Sequence, residues 1–126
     1  MDWKGMFLPR NPWRREPTES LNEPEEEDLE RLAELREQGS RLNLPHPIRG
    51  FLRFDSEQAA RQVAELLGKE GFSCRIRASQ DGSWVTVAIR QLVPTPGGIT
   101  RLREQLEAAV APNGGIYLGW DAPVVY

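Results

Sequence analysis

The sequence predicts an α+β fold, a four-stranded antiparallel sheet with two helices on one face, preceded by a short N-terminal helix. Three observations predict it. Between residues 48 and 120, segments of period two and segments of period 3.6 follow one another as strand-helix-strand-strand-helix-strand. Turn and cap residues punctuate those segments: Asp55, Gly71, Asp81-Gly82, Pro94 to Pro96, and Asn113 to Gly115. The chain has 126 residues, 39% hydrophobic and 28% charged, which suits one globular domain with a tail.

Each element has its own signal. Residues 24–38 form an acidic helix: Pro24 fits a first helical position. Glu25 to Asp28 complement the N-terminal dipole, Leu29, Leu32, Ala33 and Leu35 make a narrow apolar stripe, and Gly39 ends it. Leu44 to Pro47 is an extended connector, since residues before proline avoid the helical region. Ile48 to Phe54 alternates, with Ile48, Leu52 and Phe54 inward and Arg49, Phe51 and Arg53 outward. Asp55 is placed to cap the next helix with Gln58 at the capping-box position. Ala59, Ala60, Val63, Leu66 and Leu67 supply that helix's buried face. Phe72 to Ala78 is a second strand, and Asp81-Gly82 turns it back into a third, Trp84 to Val93. Thr95 caps a helix burying Ile99, Leu102, Leu106 and Val110, and Ile116 to Trp120 closes the sheet. Helices segregated to one face of such a sheet make the ferredoxin-like βαββαβ sandwich, with strand order 4-1-3-2. The domain organisation is therefore an arm over 1–22, the acidic helix over 23–40 and the sandwich over 45–123. Pro9, Pro12 and Pro17 interrupt any helix in the arm, whose Trp3, Phe7 and Trp13 are expected to fold back on the body or dock on a partner.

Composition narrows the function classes. No apolar run approaches the ~20 residues of a membrane helix. The Met6–Leu8 patch is too short for a signal peptide. A single cysteine, Cys74, permits no internal disulfide and fits a reducing, cytoplasmic compartment. The net charge of −3 is unevenly spread: residues 16–37 hold ten acidic and two basic side chains, whereas residues 38–126 hold ten basic and eight acidic. One short segment is acidic and the body is mildly basic.

The C-terminal strand carries recognisable residues. Gly114-Gly115-Ile116-Tyr117-Leu118-Gly119-Trp120-Asp121 resembles the closing signature of the regulator of ribonuclease activity B family. Asp81-Gly82-Ser83-Trp84 resembles that family's hairpin before its third strand, and Gly71-Phe72 its glycine-aromatic approach to the second. The acidic leucine-striped helix ending at Gly39, followed by Pro45, matches its lead-in; the resemblance covers residues 24–123. It implies a ferredoxin-like regulator that binds the endoribonuclease ribonuclease E, largely through the nuclease's C-terminal scaffold region, and inhibits RNA decay without catalytic residues. The chain departs from the pattern at Leu118, where founding members have aspartate, and lacks through Tyr126 their long acidic C-terminal tail.

The residues themselves offer little for catalysis, and we expect no catalytic, cofactor-binding or metal-binding site. The only histidine, His46, sits between two prolines and reads as a surface or hinge residue. Cys74 has inward parity with Ile76 and reads as a small buried hydrophobe. One cysteine and one histidine make no zinc site. Pro96-Gly97-Gly98 opens a helix whose amides suit an anion, but no phosphate-loop lysine follows. Asp81 and Asp121 are not placed together by anything in the sequence.

The informative surface is the sheet face left open by the helices. Strand parity places Arg49, Phe51, Arg53, Arg75, Arg77, Trp84, Thr86, Arg90 and Tyr117 there, with Val85, Val87 and Ile89 inward. Arginines interleaved with aromatics suit a protein partner's carboxylates or stacked RNA bases. The expected interface residues are Tyr117, Trp120, Asp121, Arg49, Arg53 and Trp84, and the expected partner is an endoribonuclease of the ribonuclease E type. RNA is the second candidate partner, and an accessory or immunity-type binding module is a third reading. The acidic Glu23–Asp28 segment is placed to lie over the basic face as a gate.

Overall fold

The computed structural model describes residues 19–126; Trp3, Phe7 and Trp13 of the expected arm lie outside the described residues. The elements in chain order are α1 (Glu26–Glu37), β1 (His46–Phe54), α2 (Glu57–Lys69), β2 (Ser73–Ala78), β3 (Trp84–Leu92), α3 (Pro96–Val110), a 3₁₀ turn (Ala111–Asn113) and β4 (Ile116–Asp121). The four strands form one antiparallel sheet ordered β2-β3-β1-β4, which from the β4 edge reads 4-1-3-2.

Local chemistry accounts for the helix boundaries. α1 starts at N-cap Glu25, one residue after Pro24, so the proline precedes the helix instead of opening it. It ends in a Schellman motif: Ser40 N–H donates to the Leu35 carbonyl and Gly39 N–H to that of Arg36, with Gly39 at φ 92°. Ser56, not Asp55, caps α2, its hydroxyl accepting from Ala59 N–H at 3.2 Å. Either residue is a competent cap, and the chain enters the helix one residue later than the Asp55–Gln58 pairing predicts. Thr95 caps α3 as expected, accepting from Gly98 N–H at 2.9 Å.

The core lies between the sheet and the helices. Ile48, Leu52 and Phe54 face Ala60, Val63 and Leu67 of α2 and Ile99, Leu102, Leu106 and Val110 of α3, all buried. Leu66 points out, 42% exposed, and Leu29 and Ala33 of α1 are exposed while Leu32 and Leu35 are buried. The centre of the sheet is low: Gly50 pairs with Ala88, and Leu106 descends into the space a Gly50 side chain would fill. Gly115 packs against the face of Phe54; an added Cβ would stand 2.8 Å from its Cδ1 and 3.0 Å from its Cζ. Phe54 is 1% exposed and has nowhere to move. Gly115→Ala is therefore expected to destabilise the fold by about 1–3 kcal/mol through overpacking, read as a lower urea midpoint at unchanged slope.

Sidedness differs from expectation on two strands. β3 pairs Trp84 with Phe54, Thr86 with Leu52, Ala88 with Gly50 and Arg90 with Ile48, so these four face the helices. Val85, Val87 and Ile89 face away. The β-branched residues thus lie on the open face, and the helix face takes small Ala88 and a satisfied Thr86, whose hydroxyl donates to the Ala60 carbonyl at 3.0 Å. On β4, Phe51 opposes Gly119 but Leu52 opposes Tyr117, leaving Leu118 as a bulge residue. Gly119 takes φ 119°, and the extra residue turns Tyr117 to the helix side. His46 is neither surface nor hinge. It begins β1, is fully buried, and is held between the Ser40 hydroxyl at 2.6 Å and the Leu44 carbonyl at 2.7 Å. Cys74 is half-buried on the helix side opposite Ala88, and burial pushes its thiol above its ordinary range.

Candidate interaction surface

The open face is built in rows by the strand register. One row runs Arg77, Val85, Arg53, Ile116; the next Arg75, Val87, Phe51, Gly119; the third Ser73, Ile89, Arg49, Asp121. Its middle is apolar, with Phe51, Val87 and Ile89 half-buried and Val85 buried between Arg53 and Arg77. Ile116, 56% exposed, extends that strip to the β4 edge. Arginines flank it. Fourteen of the sixteen basic residues in the chain are arginine, the side chain that grips carboxylate and phosphate with two parallel hydrogen bonds.

The four arginines of the face fall into two pairs. Arg49 holds Asp121 bidentately, Nε to Oδ1 at 2.6 Å and Nη2 to Oδ2 at 2.8 Å, and that bond raises its pKa. Arg53 reaches Asp81 at 3.2 Å. Asp81 is itself fixed by Ser83, whose N–H donates at 3.0 Å and whose hydroxyl donates at 2.6 Å to Oδ1. These bonds hold the carboxyl below its ordinary value of 3.8. A depressed folded pKa contributes stability above 3.8 that is lost as pH falls through the folded value. NMR titration is expected to show an Asp81 midpoint below 3.8, moved upward by Ser83→Ala. Arg75 and Arg77, by contrast, are exposed and make no ion pair among the described residues. Among the described residues the β2 side of the face therefore presents two guanidiniums without an ion pair beside an apolar strip, while on the β4 side Arg49 is matched by Asp121.

Of the six residues expected to form an interface, Arg49, Arg53 and Asp121 share this face. Trp84, Tyr117 and Trp120 lie on the other side, as do Thr86 and Arg90. Trp120 is 3% exposed, and its Nε1–H donates to Asp28 Oδ1 at 2.9 Å. Asp28, itself buried, accepts from Arg103 Nε at 3.3 Å; Arg103 also meets Glu25 and Glu107, both at 3.0 Å. Arg31 stands 5.8 Å over the Trp120 ring. Tyr117 adjoins this cluster with its hydroxyl buried and without a described partner; burial first, then the Asp28 charge, raises its pKa. The cluster fastens the acidic helix to α3 and β4. The Glu23–Asp28 segment is accordingly not a gate over the basic face, because Asp28 and Glu25 are spent on Arg103 on the opposite side of the sheet.

Sequence parity missed Val85, Val87 and Ile89 on the open face, although their side is fixed once Phe54 pairs with Trp84; Ile116 joins them opposite Arg53. Among the described residues no group of three histidine, cysteine, aspartate or glutamate side chains is placed to hold a metal ion. No described helix is long and apolar enough to cross a membrane. The fold and face together define a small α+β module that presents one arginine-rimmed, partly apolar sheet surface, a surface suited to contact with another macromolecule. The pattern of the family described as Regulator of ribonuclease activity B matches residues 25–122, from the N-cap of α1 to just beyond β4, and the chain belongs to that family. No curated protein matches the chain.

Proposed function

We propose that the protein is a non-catalytic regulator that binds an endoribonuclease of the ribonuclease E type and restrains RNA cleavage by occluding the nuclease's partner-binding region. In this reading the domain is ferredoxin-like and works in the cytoplasm. The observation that carries the proposal beyond family membership is the asymmetry of the open face: Arg75 and Arg77 lack carboxylate partners among the described residues and border Val87 and Val85, with Phe51 one strand further on. Unpaired guanidiniums beside an apolar strip match an acidic segment of a protein, with the strip supplying desolvated area and the arginines orientation.

The same face supports RNA as a second reading, because Phe51 offers a stacking surface flanked along β1 by Arg49 and Arg53. Affinity capture on the immobilised protein separates the two. Capture of a ribonuclease E-type endonuclease from lysate that survives prior nuclease treatment supports direct protein contact. Capture that disappears after treatment makes RNA the ligand, and a steep fall of affinity with salt then follows.

A further inference from the structure

A second feature lies away from the open face, where the end of β3 meets the first half of α3. A cleft of about 620 Å³ there is lined by Arg90, Gln91, Leu92, Arg101, Leu102 and Gln105, among others, with Glu19 at its rim. Its size falls within the few hundred to ~1,000 Å³ typical of small-molecule sites.

Arg90 is held in place on three sides. Its guanidinium stacks 3.9 Å from the Phe72 ring centroid, Nη1 donates to Gln105 Oε1 at 2.8 Å, and Nη2 donates to the Glu70 carbonyl. All of these partners are formally neutral, and three of its five N–H donors remain uncommitted by them. Arg101, one helical turn before Gln105, is half-buried and makes no ion pair among the described residues. Burial first, then the Arg101 charge, lower the Arg90 pKa against the pull of Glu70. Two guanidiniums thus share one cleft with no ion pair to either among the described residues; Glu70 and Glu104 act on them only through their charge, and an anion bound between them would join the two.

The rest of the lining is not phosphate-like. Leu92 and Leu102 give an apolar wall, and Val93 is left 40% exposed beside them. Gln105, its oxygen engaged by Arg90, keeps its amide donors for a ligand, and Gln91 adds a second amide. At the rim Ser20 N–H donates to the Gly97 carbonyl at 3.0 Å, and Glu19 packs against Gly97. Glu19 is thereby the acid that lines the mouth, on a short segment anchored also by Asn22 to Glu104.

We propose that this cleft binds a phosphomonoester of nucleoside-monophosphate size, its phosphate between Arg90 and Arg101, its ring on the Leu92–Leu102 wall, and Glu19 competing for the same cations. Calorimetric titration of the full chain with adenosine 5′-monophosphate, adenosine and inorganic phosphate tests it. The expected result is saturable binding of the monophosphate in the millimolar range or tighter, with adenosine and phosphate each about tenfold weaker. Arg101→Gln, which spares the Arg90 stack, is expected to weaken the monophosphate about tenfold, and Glu19→Gln to strengthen it about threefold at low salt. Absence of saturable binding by both the natural chain and Glu19→Gln overturns the proposal. So does binding that Arg101→Gln leaves unchanged, or phosphate or adenosine binding as tightly as the monophosphate.

Discussion

Replacing Trp120 with alanine is expected to cost about 4 kcal/mol or more of folding stability. The ring is 3% exposed in the core cluster, and truncating a buried tryptophan costs ~3–5 kcal/mol through lost burial and the cavity left behind. The substitution also strips Asp28 Oδ1 of its donor, leaving a buried carboxylate with Arg103 as its remaining described partner. Against a typical total of ~5–15 kcal/mol, this is a large fraction. Trp120→Phe isolates the hydrogen bond, with an expected cost of about 1–3 kcal/mol, and its coupling to Asp28→Ala in a double-mutant cycle measures the pair directly. Because Asp28 joins α1 to α3 and β4, the same variants should open α1 to protease cleavage before they unfold the sheet. Urea midpoints that barely move for Trp120→Ala would show that α1 is not fastened in this way.

This contact also marks the limit of sequence reading. Element order, the glycine caps at Gly39 and Gly71, Thr95 as a cap and the apolar face of α3 were legible because each depends on residues within a few positions of one another. Asp28 and Trp120 are 92 positions apart, and nothing local distinguishes Asp28 from the three glutamates before it. Strand sidedness failed for a related reason. Val85, Val87 and Ile89 have the residue type of a core face, but the partner strand sets the register, and pairing Ala88 with Gly50 beneath Leu106 turns them to the other side. Tyr117 was misplaced by one inserted residue, since a bulge at Leu118 breaks the alternation on which parity depends. Arg49 and Arg53 were placed on the open face because the first strand alternates cleanly; Asp121, expected at the interface, joins them there by pairing with Arg49, a partner 72 positions away that no local pattern names.

Reversing the charge of both Arg75 and Arg77 is expected to weaken nuclease binding at least about 100-fold while leaving the fold intact. Both side chains are exposed on an edge strand and carry no described ion pair, so their loss removes no internal contact of that kind. Substitutions at such positions usually stay within about 0.5 kcal/mol of neutral for folding. For an acidic partner segment the variant replaces two attractions with two repulsions, and like charges brought together at an interface cost several kcal/mol. Arg49 and Arg53 provide the contrast. Each is already matched to a carboxylate, Asp121 or Asp81, so Arg49→Gln or Arg53→Gln should change affinity less than the β2 pair does. Phe51→Ala tests the apolar strip between them. It should weaken protein binding moderately, and should abolish binding if the ligand is stacked RNA. Circular dichroism and thermal melts of the Arg75→Glu, Arg77→Glu chain establish that any loss is in binding.

The most direct test is a cleavage assay in which a purified ribonuclease E-type endonuclease, with its scaffold region, acts on a defined RNA while the protein is titrated in. Regulation through the open sheet face predicts that the natural chain slows cleavage with a saturable dose dependence near stoichiometric amounts, and that the Arg75→Glu, Arg77→Glu chain does not. Cleavage unaffected by the natural chain, or slowed equally by both, would contradict it.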